Sequence, residues 1–242
     1  MPVGVSFQGK LGLQQRVLPV YRRAFLERLA DACTGGLSVF AGSALPVERI
    51  APVEQLAHAQ LVKAHNRYIM DPRSPLFICW QSGLLRWLSA WQPDVLVVEA
   101  NPRYPVTRFA IHWMHQRGRP VIGWGLGAPP LQGWMAWLRH WERLSLLRSL
   151  DGVIAYSQRG AAQYRRLGLP ADRVFVASNA ADPAPVTPPP SRPDRYLDRP
   201  VILFVGRLQA RKRLDLLIHA CARLPTRLQP RLVIVGDGPA RT

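Results

Sequence analysis

The chain has 242 residues, 48% of them hydrophobic, and 32 basic against 15 acidic residues leave a formal net charge of +17. That length admits one large domain or one and a half medium ones, and no apolar run approaches the ~18 residues of a membrane-spanning helix. The basic excess is nearly all arginine, with lysine only at Lys10, Lys63 and Lys212; it suits a solvated surface, anionic lipid, phosphate ligands or nucleic acid, and charge alone does not choose among them.

The opening MPVGVSFQGK has no charged start followed by a long apolar stretch, so no signal peptide is expected. Cys33, Cys79 and Cys221 are far apart, odd in number and without metal spacing. They read as reduced core residues of a cytosolic protein. The six histidines show no zinc spacing, and His112 and His115 are expected to be partly buried on a helix.

Apolar, β-branched runs alternate with amphipathic stretches. The runs fall at 11–15 (weak), 37–41, 94–98, 120–124, 152–156, 173–177, 201–205 and 231–235. Runs apolar on both faces suit strands buried in a parallel sheet, and alternation with helices argues for a doubly wound α/β architecture. The spacing of Val17, Tyr21, Phe25, Leu29 and Cys33 predicts a helix over 16–33. Glu99, Asn101 and Arg103 follow the 94–98 run, where acceptor contacts or a plain polar loop fit equally. Gly123, Gly125 and Gly127 would let backbone approach a sugar or phosphate closely, or simply make a flexible turn. Residues 131–148 form a Trp-rich helix with Trp134, Trp137, Trp141 and Leu144 on one face, flanked by Arg139, Arg143 and Arg148. That face packs on the sheet or lies in a membrane interface.

Six of the eleven residues in 183–193 are proline, an extended linker. The expected organisation is a first domain over 1–182, a linker over 183–198 and the start of a second domain over 199–242. In the second piece a buried strand should end at Gly206, and a helix over 212–224 should carry Leu214, Leu217, Ile218, Cys221 and Leu224. Arg207 and Lys212 sit on the loop between them. At a strand's carboxyl end, two cations five residues apart can converge on one diphosphate, Arg as a fork and Lys as a point charge; solvated surface charge is the plainer reading. Extension of the first domain's sheet by these two strands is the alternative arrangement.

GRLxxxKxxDxLI, carried by Gly206, Arg207, Leu208, Lys212, Asp215, Leu217 and Ile218, resembles the donor-binding signature of the retaining family 4 glycosyltransferases. DGVIAYS (151–157), RVFVASNAAD (173–182, with Ala180 in place of the usual Gly) and RLVIVGDGP (231–239) resemble further family segments in the family's order. The first domain is similar more loosely. Residues 14–30 resemble an opening strand and helix whose loop faces the interdomain cleft, and 120–127 resemble a W-G-x-G stretch in which several members carry His where this chain has Leu126.

The resemblance implies a GT-B architecture, with a Rossmann-like first domain and the first β-α-β of a second. It implies an enzyme moving a sugar from a nucleotide-diphosphate sugar to a sugar or lipid-linked acceptor, in cell-envelope polysaccharide or glycolipid synthesis. Arg207 and Lys212 would hold the diphosphate and stabilise the leaving group; Gly206, Gly236, Gly238 and Gly125 would lie against ligand; Asp215 would secure a helix start. No metal or other cofactor is expected, and no nucleic-acid partner. The location is cytoplasmic, with contact to anionic membrane at its inner face. The family's Glu-containing E-x7-E segment would lie past Thr242, so a fragment is expected that binds donor weakly and does not turn over. The competing readings are a non-catalytic basic α/β protein that binds membrane or nucleic acid, and another GT-B enzyme such as a nucleotide-sugar epimerase.

Overall fold

Each of the eight apolar runs forms a strand in the computed structural model, which describes residues 6–71, 74, 76–179, 187–188, 191, 200–238 and 240–241. Residues 1–44 and 51–183 make one unit, and residues 45–50 and 184–242 a second. Most of the Pro-rich segment lies outside the described residues.

In the first unit the strands are β1 (Leu11–Val17), β2 (Leu37–Gly42), β3 (Gln60–Ile69), β4 (Ile78–Ser82), β5 (Val95–Glu99), β6 (Val121–Gly125), β7 (Gly152–Ala155) and β8 (Val174–Val176). They lie in the order β4-β3-β2-β1-β5-β6-β7-β8. All pairings are parallel except β3 with β4. The chain order reverses beside β1, between β2 and β5, and in open α/β sheets ligands collect outside the carboxyl ends of strands at such a point. Helices cover both faces. α1 (Arg23–Asp31) packs Leu26 and Ala30 with Leu13, Val39 and Val97 on one side. On the other side α2 (Leu84–Trp91), α3 (Val106–His115), α4 (Ala136–Arg148) and α5 (Gln158–Arg166) pack around Leu96, Val98, Val121 and Val153. The Ser157 hydroxyl caps α5 by accepting from Gly160 N–H at 3.1 Å, satisfying a donor the first turn leaves free.

Several expectations are corrected. The helix predicted over 16–33 is a strand through Val17, a short 3-10 turn at Val20–Arg22 and a helix only from Arg23. Pro19 breaks the ladder because it has no N–H, and the residues α1 buries are Leu26 and Ala30 rather than the predicted stripe. Strands β3 and β4 were not expected. β3 alternates half-buried Val62, Ala64, Asn66 and Tyr68 with exposed Lys63, His65 and Arg67, a period-2 pattern rather than an apolar run. His112 and His115 are exposed on α3, His115 pairing with Asp151 at 2.9 Å. The helix predicted over 131–148 starts only at Ala136, with Trp134 in the turn before it, and the Trp face does not pack on the sheet: Trp134, Trp137 and Trp141 are 81%, 73% and 64% exposed. α4 is anchored instead by Leu146 and Leu147 in its last turn.

The second unit holds β9 (Val201–Val205) and β10 (Arg231–Val235), paired in parallel as a separate two-stranded sheet, with α6 (Leu214–Ala222) between them in sequence. Neither strand extends the first sheet. β9 is half-exposed rather than buried, and α6 has no buried residue, because one helix over a two-stranded sheet leaves most side chains partly uncovered. Leu208 is its buried apolar anchor.

Candidate functional site

In the first unit the carboxyl ends of β1, β5, β6 and β7 meet in a polar network. Arg22, itself 8% exposed, donates to Gln15 Oε1 at 2.6 Å and to the Tyr156 hydroxyl at 2.8 Å. Its guanidinium lies 4.8 Å from the centre of the Trp124 ring, a cation–π geometry. Burial alone would lower the Arg22 pKa, but Tyr156, then Tyr21 and Glu99, raise it. Gln14 donates to Gln81, which in turn donates to the Gln15 carbonyl at 3.1 Å and to Asn66 Oδ1 at 2.9 Å. Glu99 accepts from the Arg16 N–H at 2.8 Å. Burial pushes the Glu99 carboxyl above its usual range, against the pull of the Arg16 N–H and the charges of Arg16 and Arg22. Its carboxylate is therefore tied to β1. Asn101 and Arg103, beyond it on the loop, are partly buried, and Asn101 Oδ1 accepts from Arg103 N–H at 3.1 Å.

The glycine-rich end of β6 is clamped by α5. A Cβ on Gly125 would come within 2.5 Å of the Tyr164 hydroxyl, and one on Gly127 within 2.6 Å of Gly160 Cα. Gly127 N–H and Ala128 N–H donate to the Tyr164 hydroxyl at 3.2 Å and to Gln163 Oε1 at 2.9 Å. The close approach these glycines permit is therefore to a helix of the same unit.

In the second unit Gly206 and Arg207 leave β9, and a 3-10 turn at Ala210–Lys212 leads to α6. The arginines around Lys212 are spoken for: Arg211 donates to Gln209 Oε1 at 2.9 Å, and Arg213 to the Asp215 carboxylate at 3.0 Å. Asp215 lies in the first turn of α6, and its hydrogen bond with Arg213 holds its carboxyl below the usual range. Arg207 and Lys212 are left; the Arg207 Nε is buried without a hydrogen-bond partner among the described residues. Gly236 and Gly238 lie against this loop. A Cβ on either would collide with the carbonyl of Gly206 or of Leu208 respectively, and Leu208 N–H donates to the Asp237 carbonyl at 2.9 Å. Gly206, Arg207, Gly236 and Gly238 are thus brought together, and Gly125 belongs to the other unit.

Residues that sequence reasoning did not single out are Gln14, Gln15, Arg22, Gln81 and Tyr156. The available signal was the pair of glutamines inside a strand, which in a central position must be hydrogen-bonded. Among the described residues no three His, Cys, Asp or Glu side chains gather as a metal ion would require.

A parallel α/β sheet with a strand-order reversal, followed by a second parallel pair whose loop offers two uncommitted cations, defines a protein of the GT-B class. The fold matches the Anabaena protein HepE in complex with UDP, at a TM-score of 0.59 and 17% identity over 95% of this chain and 61% of that one. It also matches the lipopolysaccharide outer core galactosyltransferase WaaB in its apo form, at 0.52 and 16% over 95% and 61%. Residues 39–185 match the model of Glycosyltransferase Family 4, and residues 190–242 that of Glycosyl transferases group 1; the chain belongs to glycosyltransferase family 4. It is 36% identical over 110 residues to an alpha-D-kanosaminyltransferase of Streptomyces kanamyceticus, covering 42% of this chain and 28% of that protein. It is 29% identical over 174 residues to a D-inositol 3-phosphate glycosyltransferase of Xylanimonas cellulosilytica, covering 67% and 37%. The chain thus spans well under half the length of these two relatives.

Proposed function

We propose that this chain serves the transfer of a sugar from a nucleotide-diphosphate donor to an acceptor, with Arg207 and Lys212 gripping the diphosphate. The observation that carries this reading is the sorting of the basic cluster: Arg211 and Arg213 have protein partners, and Arg207 and Lys212 have none among the described residues. Charge develops on the leaving diphosphate as the glycosidic bond breaks, and preorganised cations stabilise it without reorganisation. In this reading the two side chains supply that positive charge, and a metal ion is not required. HepE has been crystallised with UDP and with UDP-glucose, which supports a nucleotide-sugar donor. Loss of one such cation costs roughly 10²–10³-fold in rate when the interaction is specific to the transition state.

Titration calorimetry with UDP and other nucleoside diphosphates tests the assignment. R207Q and K212Q should each raise the dissociation constant about tenfold, ~1.4 kcal/mol, while binding of the nucleoside alone stays unchanged. Equal affinity of wild type and both variants for the diphosphate would remove the basis for the reading.

The exposed Trp137 and Trp141 on a helix that also carries Arg139, Arg143 and Arg148, with exposed Trp134 in the turn before it, support a second element of the proposal: peripheral contact with an anionic membrane. No helix of the described residues is long and apolar enough to cross a membrane. A location at the inner face of the membrane and an acceptor of cell-envelope polysaccharide or glycolipid synthesis fit that contact.

A further inference from the structure

Between the loop after β5, the start of α3 and the front half of α4 lies a cavity of about 230 Å³. It is smaller than the ~300–1,000 Å³ of drug-sized ligand sites, and so of a scale for one charged head group. Its walls carry four arginines, Arg103, Arg108, Arg139 and Arg143, against one carboxylate, Glu142. All four arginines are partly buried, and Glu142 is exposed and forms no ion pair with them among the described residues.

Two of the four are braced by the fold. Arg108 donates to the Ser145 hydroxyl at 3.0 Å and to the Glu142 carbonyl at 3.2 Å, and Arg143 to the Pro129 carbonyl at 2.7 Å. The other two are not. Arg103 lies over the Phe77 ring at 5.9 Å, and neither its guanidinium nor that of Arg139 has a hydrogen-bond or ion-pair partner among the described residues. Burial, and then the charge of Arg139, pull both Arg103 and Arg143 below the ordinary guanidinium value. The cluster therefore repels itself, and nothing in the fold requires Arg103 or Arg139 to be basic. The cavity is lined by Asn101–Arg103, just beyond the carboxyl end of β5 and next to the strand-order reversal, where this architecture places ligands.

We infer that this four-arginine cavity is a phosphate site, receiving a phosphate group of the acceptor. The inference rests on the sugar-transfer reading for the word acceptor, and on the first unit's own geometry for the anion. Guanidinium forks pair bidentately with phosphate oxygens, and an anion placed among them converts mutual repulsion into attraction. The phosphate could belong to a soluble phosphomonoester or to a lipid head group; α4 serves either, since it also carries the exposed Trp137 and Trp141.

The experiment titrates inorganic phosphate, glycerol 3-phosphate and glycerol into wild type, R103Q/R139Q and R207Q/K212Q. The two phosphates should bind wild type and glycerol should not. Affinity should fall at least tenfold in R103Q/R139Q, and equally when Arg103 and Arg139 are replaced in an R207Q/K212Q background, where the diphosphate grip no longer contributes. Without phosphate, R103Q/R139Q should melt at or above the wild-type temperature, because the repulsion is relieved. Absence of phosphate binding, binding lost only in R207Q/K212Q, or a marked drop in melting temperature for R103Q/R139Q would overturn the inference. A roughly tenfold weaker UDP affinity in R207Q that R103Q/R139Q does not share shows that the two readings stand or fall separately. Flotation with phosphatidylglycerol vesicles distinguishes the sources. Flotation that R103Q/R139Q abolishes and glycerol 3-phosphate competes assigns the site to a lipid head group; flotation equal in both proteins, with soluble binding intact, assigns it to a phosphomonoester.

Discussion

Glu99 shows how a single residue can be visible in the sequence and still be misplaced by it. A carboxylate just past an apolar strand reads as a surface group at a ligand-bearing edge. In the fold it is partly buried and accepts from the Arg16 backbone, and burial raises its carboxyl above the usual range. A group whose folded-state pKa is raised contributes stability below its unfolded value and loses that contribution as pH rises through the folded one. E99Q keeps the acceptor oxygen and removes the titration. The melting temperature of E99Q relative to wild type should therefore be more favourable at pH 7.5 than at pH 4, by calorimetry; a difference independent of pH would show that the carboxyl is not perturbed. The type and spacing of Arg207 and Lys212, on which the proposed donor grip rests, are given by the sequence. Their neighbours' partners, which single them out, are not, since a hydrogen bond from Arg213 to Asp215 is a matter of conformation.

The elements were legible where hydrophobicity was continuous. All eight apolar runs became strands, while β3 and β4 were missed because they lie toward a sheet edge and need only one covered face. The loop after β6 reads in sequence as a ligand cradle or a flexible turn, and is held by α5 in the fold. At Gly127 φ is +109, and an added Cβ would meet Gly160 Cα at 2.6 Å. At Gly118 φ is +65 with nothing within 4 Å. G118A should cost about 1 kcal/mol in backbone strain alone, and G127A roughly 2–3 kcal/mol from strain and backbone collision together. Urea midpoints of the two variants check this; equal losses would mean that the loop can move away from α5.

For the molecule as a whole, the charge of +17 and the uncovered tryptophans of α4 act together. Arginines attract an anionic surface over a Debye length, ~10 Å at 0.1 M salt and ~3 Å at 1 M, and tryptophan rings settle at the head-group level. Phosphatidylglycerol vesicles should carry the wild type in flotation at low salt and release most of it near 1 M salt. The W134A/W137A/W141A variant should float several-fold less at low salt with an unchanged melting temperature, since these side chains are largely outside the core. Equal flotation of the two proteins would leave α4 without a membrane role.

The order of apolar runs and the doubly wound α/β class were determined by the sequence alone, because buried parallel strands impose composition and spacing locally; the presence of two cations on the loop after β9 is likewise a matter of sequence. Only the tertiary structure decided which side chains are uncommitted. Whether a tryptophan stripe is covered, whether a carboxylate is enclosed, and whether four arginines from a loop and two helices share one cavity depend on what residues distant in the chain bring against them. That information resides in packing, and no window of the sequence contains it.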